Sequence, residues 1–225
     1  MVFEQRDSFD VIFKELLDRT CKQWGYNLPG HLYYVDVYKR LPEGLRDTIF
    51  HGYSKGIILD AGLSDTGSAA FRPSLVPDSK GPYSWFERDN RKRQPRPAWE
   101  YYIQVSEYVR LYEGLRGKYE LRFEDDLMDI GIYENNGLKI CCEIKETSNQ
   151  AQILIRGIKE FQNVEKLPEK DRGNDPLRKA KYITKLKPKY FYVVSIGRRF
   201  EFRVEYPEQI ESKQFKLIED LIPFI

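Results

Sequence analysis

Histidine and cysteine are scarce in this chain: only His31 and His51, and Cys21, Cys141 and Cys142, occur among its 225 residues. Neither histidine pairs with cysteines at the spacing of a zinc site, which weakens zinc chemistry and Cys–His nucleophilic chemistry alike. The cysteine count is odd, and two of the three are adjacent inside an apolar run, so a disulfide framework is not expected. No apolar run approaches the length of a membrane span, and the N-terminal Met1-Val2-Phe3-Glu4-Gln5-Arg6-Asp7 lacks the charged-then-apolar order of a signal peptide. The expected location is therefore cytoplasmic, with no membrane partner. Charge of one sign is also missing, since the net is +2, and no whole-chain basic character announces nucleic acid. No internal repeat is present.

Hydrophobic residues make up 41% of the chain and aromatics 14%, enough to build a sizeable core. Charge is unevenly placed. Arg178, Lys179, Lys181, Lys185, Lys187, Lys189, Arg198 and Arg199 fall in a stretch without an acidic residue, and Arg91, Lys92, Arg93 and Arg96 form a second basic knot. Interleaved with Tyr182, Tyr190 and Tyr192, these runs are either a phosphate-tracking surface or solvated loops. Acids concentrate instead between Glu120 and Glu134.

The most informative segment runs from Leu127 to Lys145. Two apolar, β-branched runs flank Asn135-Asn136-Gly137, and Asn-Gly between such runs is a strong hairpin signal because both residues tolerate positive φ. A turn near Asn136-Gly137 places Asp129 opposite Glu143 to Lys145, and the strand period of two points Glu143 and Lys145 to one face. Leu138 to Cys142 is mostly apolar, as in a central strand, and the charges appear only at its exit, where open α/β sheets hold their ligands. Two carboxylates and an amine converging there suit phosphodiester hydrolysis. Carboxylates hold Mg²⁺, with the Ile144 carbonyl as a further ligand, and Lys145 orients the attacking water or stabilises the charged phosphate. The ordinary alternative is a solvated strand end with a cross-strand ion pair.

Asp129 followed by Glu143-Ile144-Lys145 resembles the PD-(D/E)XK nuclease superfamily, which includes many restriction endonucleases, archaeal Holliday-junction resolvases and RecB-type exonucleases. The resemblance covers roughly residues 98–196. It implies catalytic Asp129, Glu143 and Lys145 and a site for Mg²⁺, with Mn²⁺ as a substitute. It also implies a metal-supporting helix glutamate, for which Glu100 and Glu107 are the candidates, on the same face as Gln104. RecB-like relatives often use a glutamine after the triplet, which draws attention to Gln150 and Gln152, although Thr147 to Gln150 also reads as a capping box. Lys185, Lys187 and Arg93 join them as candidate substrate contacts.

The expected fold is α/β, a restriction-endonuclease-like mixed sheet flanked by helices with an αβββαβ core over residues 98–225. An N-terminal α+β extension over residues 1–97 would pack on that core and help select substrate. Helices are expected at Ser8–Trp24, Glu43–Tyr53, Trp99–Leu115, after Thr147, and from about Pro207 to Leu221; strands at His31–Tyr38, Tyr190–Ile196 and Phe200–Tyr206. Leu63 to Pro97 reads as a long functional loop, with Trp85 and Phe86 either stacking on bases or pinning the loop to the core. The functional expectation is a metal-dependent DNA endonuclease of restriction, defence or repair, RNA being left open. One site per chain would favour a homodimer for duplex cutting. The rival is a non-catalytic nucleic-acid-binding or assembly subunit on the same fold.

Overall fold

Phe9, Ile12, Phe13, Leu16, Leu17 and Cys21 recur at helical spacing, and in the computed structural model they form the buried side of α1 (Phe9–Trp24). Gly25 stops the helix in the left-handed conformation, at φ 67°. The structure describes residues 8–75, 80–115, 118–211 and 213–219. It is mixed α/β and divides into two compact units, residues 1–113 and 114–225.

In the first unit α1 is followed by α2 (His31–Arg40) and α3 (Glu43–Ser54). The segment expected as a strand from His31 to Tyr38 is therefore helical. Its aromatic and β-branched residues favour a strand locally, but Tyr33, Tyr34, Val37, Tyr38 and Leu41 follow a helical period. Tyr33, Tyr34 and Tyr38 gather around the Phe13 ring with centroids 6.3–6.5 Å away. Tertiary packing overrides propensity here. The expected loop at Leu63–Pro97 is largely β structure. An antiparallel sheet joins β1 (Ile58–Leu63), β2 (Ala69–Pro73) and β3 (Tyr83–Ser84), and a separate ribbon pairs β4 (Phe86–Asp89) with β5 (Gln94–Pro97). Trp85 and Phe86 are each 1% exposed, so they cannot stack on a base. Trp85 instead lies 4.2 Å from Phe71 and 4.6 Å from Tyr102, centroid to centroid, and its indole N–H donates to the Tyr53 hydroxyl at 2.8 Å. The helix α4 (Trp99–Leu115) forms over the expected residues.

The second unit is one six-stranded sheet covered on one face by two helices. β6 (Glu120–Asp125), β7 (Met128–Glu134) and β8 (Gly137–Ile144) form an antiparallel meander. α5 (Ser148–Glu160) and α6 (Asp175–Leu186) then carry the chain over to β9 (Tyr190–Ser195), parallel to β8. β10 (Arg198–Glu205) and β11 (Lys216–Glu219) continue antiparallel, giving the order β11-β10-β9-β8-β7-β6. Leu154, Ile155 and Ile158 of α5 and Ala180 and Ile183 of α6 pack with Cys141, Phe191, Val193 and Phe202 of the sheet.

Two elements of this unit differ from expectation. The helix expected from about Pro207 to Leu221 is not formed; β11 occupies its latter half, and residues 220–225 lie outside the described ones. Phe215 and Leu217 are buried while Lys216 is exposed, a period of two that the apolar spacing Ile210, Phe215, Leu217, Ile218 concealed. Helix α6 was not anticipated either, because its basic residues dominate the stretch. Its start signal was present all the same: Asn174 accepts from the Leu177 N–H at 3.1 Å, and Pro176 stands in the first turn.

Candidate active site

The β7–β8 hairpin closes through Asn135 and Asn136, at φ 50° and 64°, with Glu134 paired to Gly137. The two-residue loop thus lies one position earlier than Asn136-Gly137. A register shift then sets which residue faces Asp129. Tyr133 pairs with Leu138 but Ile132 with Ile140, so Lys139 is bulged out, and the ladder continues to Ile130 and Cys142. The next facing positions are Asp129 and Glu143. Without the bulge Glu143 would be turned to the opposite face of the sheet from Asp129.

The side chains meet where that geometry sends them. Asp129 Oδ2 accepts the Ile144 backbone N–H at 2.5 Å, reaching across the end of the hairpin. Glu143, 2% exposed, holds Lys145 Nζ on Oε1 at 2.7 Å and Lys179 Nζ on Oε2 at 2.5 Å. Lys179 comes from α6, is 6% exposed, and also donates to the Leu127 carbonyl. Asp129, Glu143, Ile144 and Lys145 are therefore assembled at one strand end, together with Lys179, which in the sequence is one member of a basic run. The signal that could have found Lys179 is the capped start at Asn174 followed by Leu177, Ala180 and Ile183, which places it within an amphipathic helix.

Burial first, and like charge second, govern the electrostatics at this end. Burial, and after it the nearby Glu143 carboxylate, hold the Asp129 carboxyl well above its usual range; the Ile144 N–H and Lys179 act in the opposite sense, and Glu124 adds to the rise. Two carboxylates brought together at a strand end, with a backbone carbonyl beside them, are a donor set that suits a hard divalent cation. The Ile144 carbonyl would add a third oxygen. Among the described residues no three His, Cys, Asp or Glu side chains are grouped for a metal, so any such ion would rest on these two carboxylates, backbone oxygen and water.

Close by, Asp125 is buried and accepts from the Tyr133 hydroxyl at 2.6 Å and that of Tyr182 at 3.4 Å. Its carboxylate lies over Gly131, where a Cβ would fall 2.1 Å from Oδ2, so only glycine leaves room for it between Asp129 and Tyr133 on that face. Cysteine chemistry has no place here: Cys141 and Cys142 are fully buried, and burial pushes the Cys141 thiol far up.

Among the remaining candidates, Gln150 and Glu107 have local partners. Gln150 completes the expected capping box, its Oε1 accepting the Thr147 N–H at 2.9 Å while its own N–H reaches Thr147 Oγ1 at 3.3 Å. Gln152, in the same first turn, is half-buried. Glu100 on α4 is exposed, whereas Glu107 is 5% exposed and holds Arg110 at 3.0 and 3.1 Å. Lys185, Lys187 and Arg93 are exposed. No helix among the described residues is long and apolar enough to cross a membrane. Comparison of the chain with protein-family models, with curated proteins and with solved structures gives no match.

Proposed function

We propose that the chain is a metal-dependent deoxyribonuclease of PD-(D/E)XK type, an endonuclease in restriction, defence or DNA repair. The observation that carries this reading is the meeting of Asp129, Glu143 and Lys145 at the exit of a buried hairpin, where burial and the neighbouring Glu143 carboxylate raise the Asp129 carboxyl. The succession α4, β6, β7, β8, α5, α6, β9 is the αβββαβ order of that superfamily with one helix, α6, added before the last strand.

Asp129, Glu143 and the Ile144 carbonyl would hold Mg²⁺, with Mn²⁺ as a substitute. A divalent cation so bound supplies Lewis-acid stabilisation of the phosphate and acidifies a water molecule. Lys145, on a strand end and only partly buried, can swing its ammonium from Glu143 toward the phosphate and there orient the attacking water or offset the developing charge. Lys179, almost wholly buried, cannot follow it and keeps Glu143 in place.

The second reading, a binding or assembly subunit without catalysis, is favoured by one observation: both Glu143 oxygens already have lysine partners, as in a structural ion cluster. Supercoiled plasmid and linear DNA incubated with the protein in Mg²⁺, Mn²⁺ or EDTA separate the two. Cutting in either metal, absent in EDTA and reduced at least ~100-fold in Lys145→Ala, is the expected result. Salt-sensitive binding indifferent to Mg²⁺, without nicking, would establish the second reading instead.

A further inference from the structure

The β4–β5 ribbon of the first unit ends in Arg91, Lys92 and Arg93, three consecutive exposed cations, none ion-paired with a described residue. Its base is fixed. Trp85 and Phe86 are buried, the Ala98 N–H donates to the Trp85 carbonyl at 2.9 Å, and the Tyr33 hydroxyl donates to the Pro95 carbonyl at 3.0 Å. Arg88 lies over the Trp24 ring at 5.0 Å. The tip is shaped by Asp89, whose Oδ1 accepts the N–H groups of Arg91 and Lys92, each at 3.0 Å, and by Arg93, held in the left-handed region at φ 49°. Arg96, the fourth residue of this basic knot, is paired with Glu87 and adds no free charge.

We infer that this tip grips the phosphate backbone of duplex DNA, an inference that rests on the reading of the chain as a DNA-cutting enzyme and names where the duplex is held. A two-stranded ribbon fits the major groove, about 12 Å wide, and three cations splayed around a turn meet phosphates on its walls as point contacts. No apolar anchor accompanies them at the tip, as a protein partner would need. The hollow beside the ribbon is lined by Asp65, Glu87 and Arg88 among others, a mixed-charge surface, so the concentration of cations is at the tip.

The test uses the full chain carrying Lys145→Ala, in EDTA so that nothing is cut, and a labelled duplex oligonucleotide titrated at several salt concentrations. Adding Arg91→Ala, Lys92→Ala and Arg93→Asn removes the charges while asparagine tolerates the left-handed backbone. Binding roughly tenfold weaker or more, with the slope of log affinity against log salt reduced by about 3 and an unchanged melting temperature, is expected. Retention of binding by Arg91→Lys with Arg93→Lys supports point contacts to phosphate. An unchanged affinity and slope, or a loss seen with single strands and not with duplex, overturns the inference. The two proposals fail separately. Loss of binding in a protein whose wild type never cuts DNA sinks the nuclease and leaves the ribbon; normal cutting with undiminished binding does the reverse.

Discussion

Lys179→Met lowers stability by about 3 kcal/mol, within the range for breaking a buried ion pair, and lowers cleavage with it. Methionine keeps the volume of the lysine stem, so the loss reports the charge. Glu143 is 2% exposed and would keep only Lys145, whose side chain is 20% exposed and so less able to compensate. The partner variant makes the assignment testable. Glu143→Gln needs no counter-charge, so Lys179→Met in that background costs far less than in the wild type, and a double-mutant cycle in denaturant returns a coupling of about 1–3 kcal/mol. Additive effects would mean that Lys179 does not hold Glu143. The double variant recovers stability without recovering cleavage, because the metal-binding carboxylate is gone.

Asp129→Asn has the opposite effect on stability: the metal-free protein becomes more stable at neutral pH, by about 1–2 kcal/mol, while losing cleavage. Asparagine still offers an oxygen to the Ile144 N–H. The sign follows from the raised carboxyl. Between the ordinary carboxylate range and the folded value, native Asp129 keeps a proton that the unfolded chain has released, so wild-type stability falls as pH rises through that window and stays low above it. In EDTA, the melting-temperature gap between variant and wild type should thus be small at about pH 4, in the ordinary carboxylate range, and larger at neutral pH. Mg²⁺ should raise the melting temperature of the wild type at the higher pH and leave the variant unmoved. A variant less stable than wild type at both pH values would remove the raised Asp129 carboxyl from the account.

The hairpin and the triplet were legible because their signals are local. Asn135-Asn136-Gly137 announces the turn, and the charges of Glu143 and Lys145 stand directly after an apolar run. The bulge at Lys139 was not legible, and it decides the facing: a two-residue loop at Asn136-Gly137 would set Asp129 opposite Ile144, whereas the earlier turn and the one extra residue set it opposite Glu143, at the near end of the expected range. Lys179 lies 36 residues beyond Glu143, in a run whose charge resembled a solvated loop, and its role arises only when α6 packs on the sheet. At His31–Arg40 and Lys216–Glu219 the local pattern pointed to the wrong element. The Phe13 aromatic cluster stabilises the first as helix, and pairing with β10 extends the second as strand. Neither influence is contained in the residues of the segment itself.

The most direct measurement is the rate at which purified, folded Asp129→Ala cuts plasmid DNA in Mg²⁺, beside the wild type. The account predicts cutting by the wild type and a loss of at least ~1,000-fold in the variant, as expected when a group that stabilises the transition state is removed. Cutting at the wild-type rate by Asp129→Ala would contradict it.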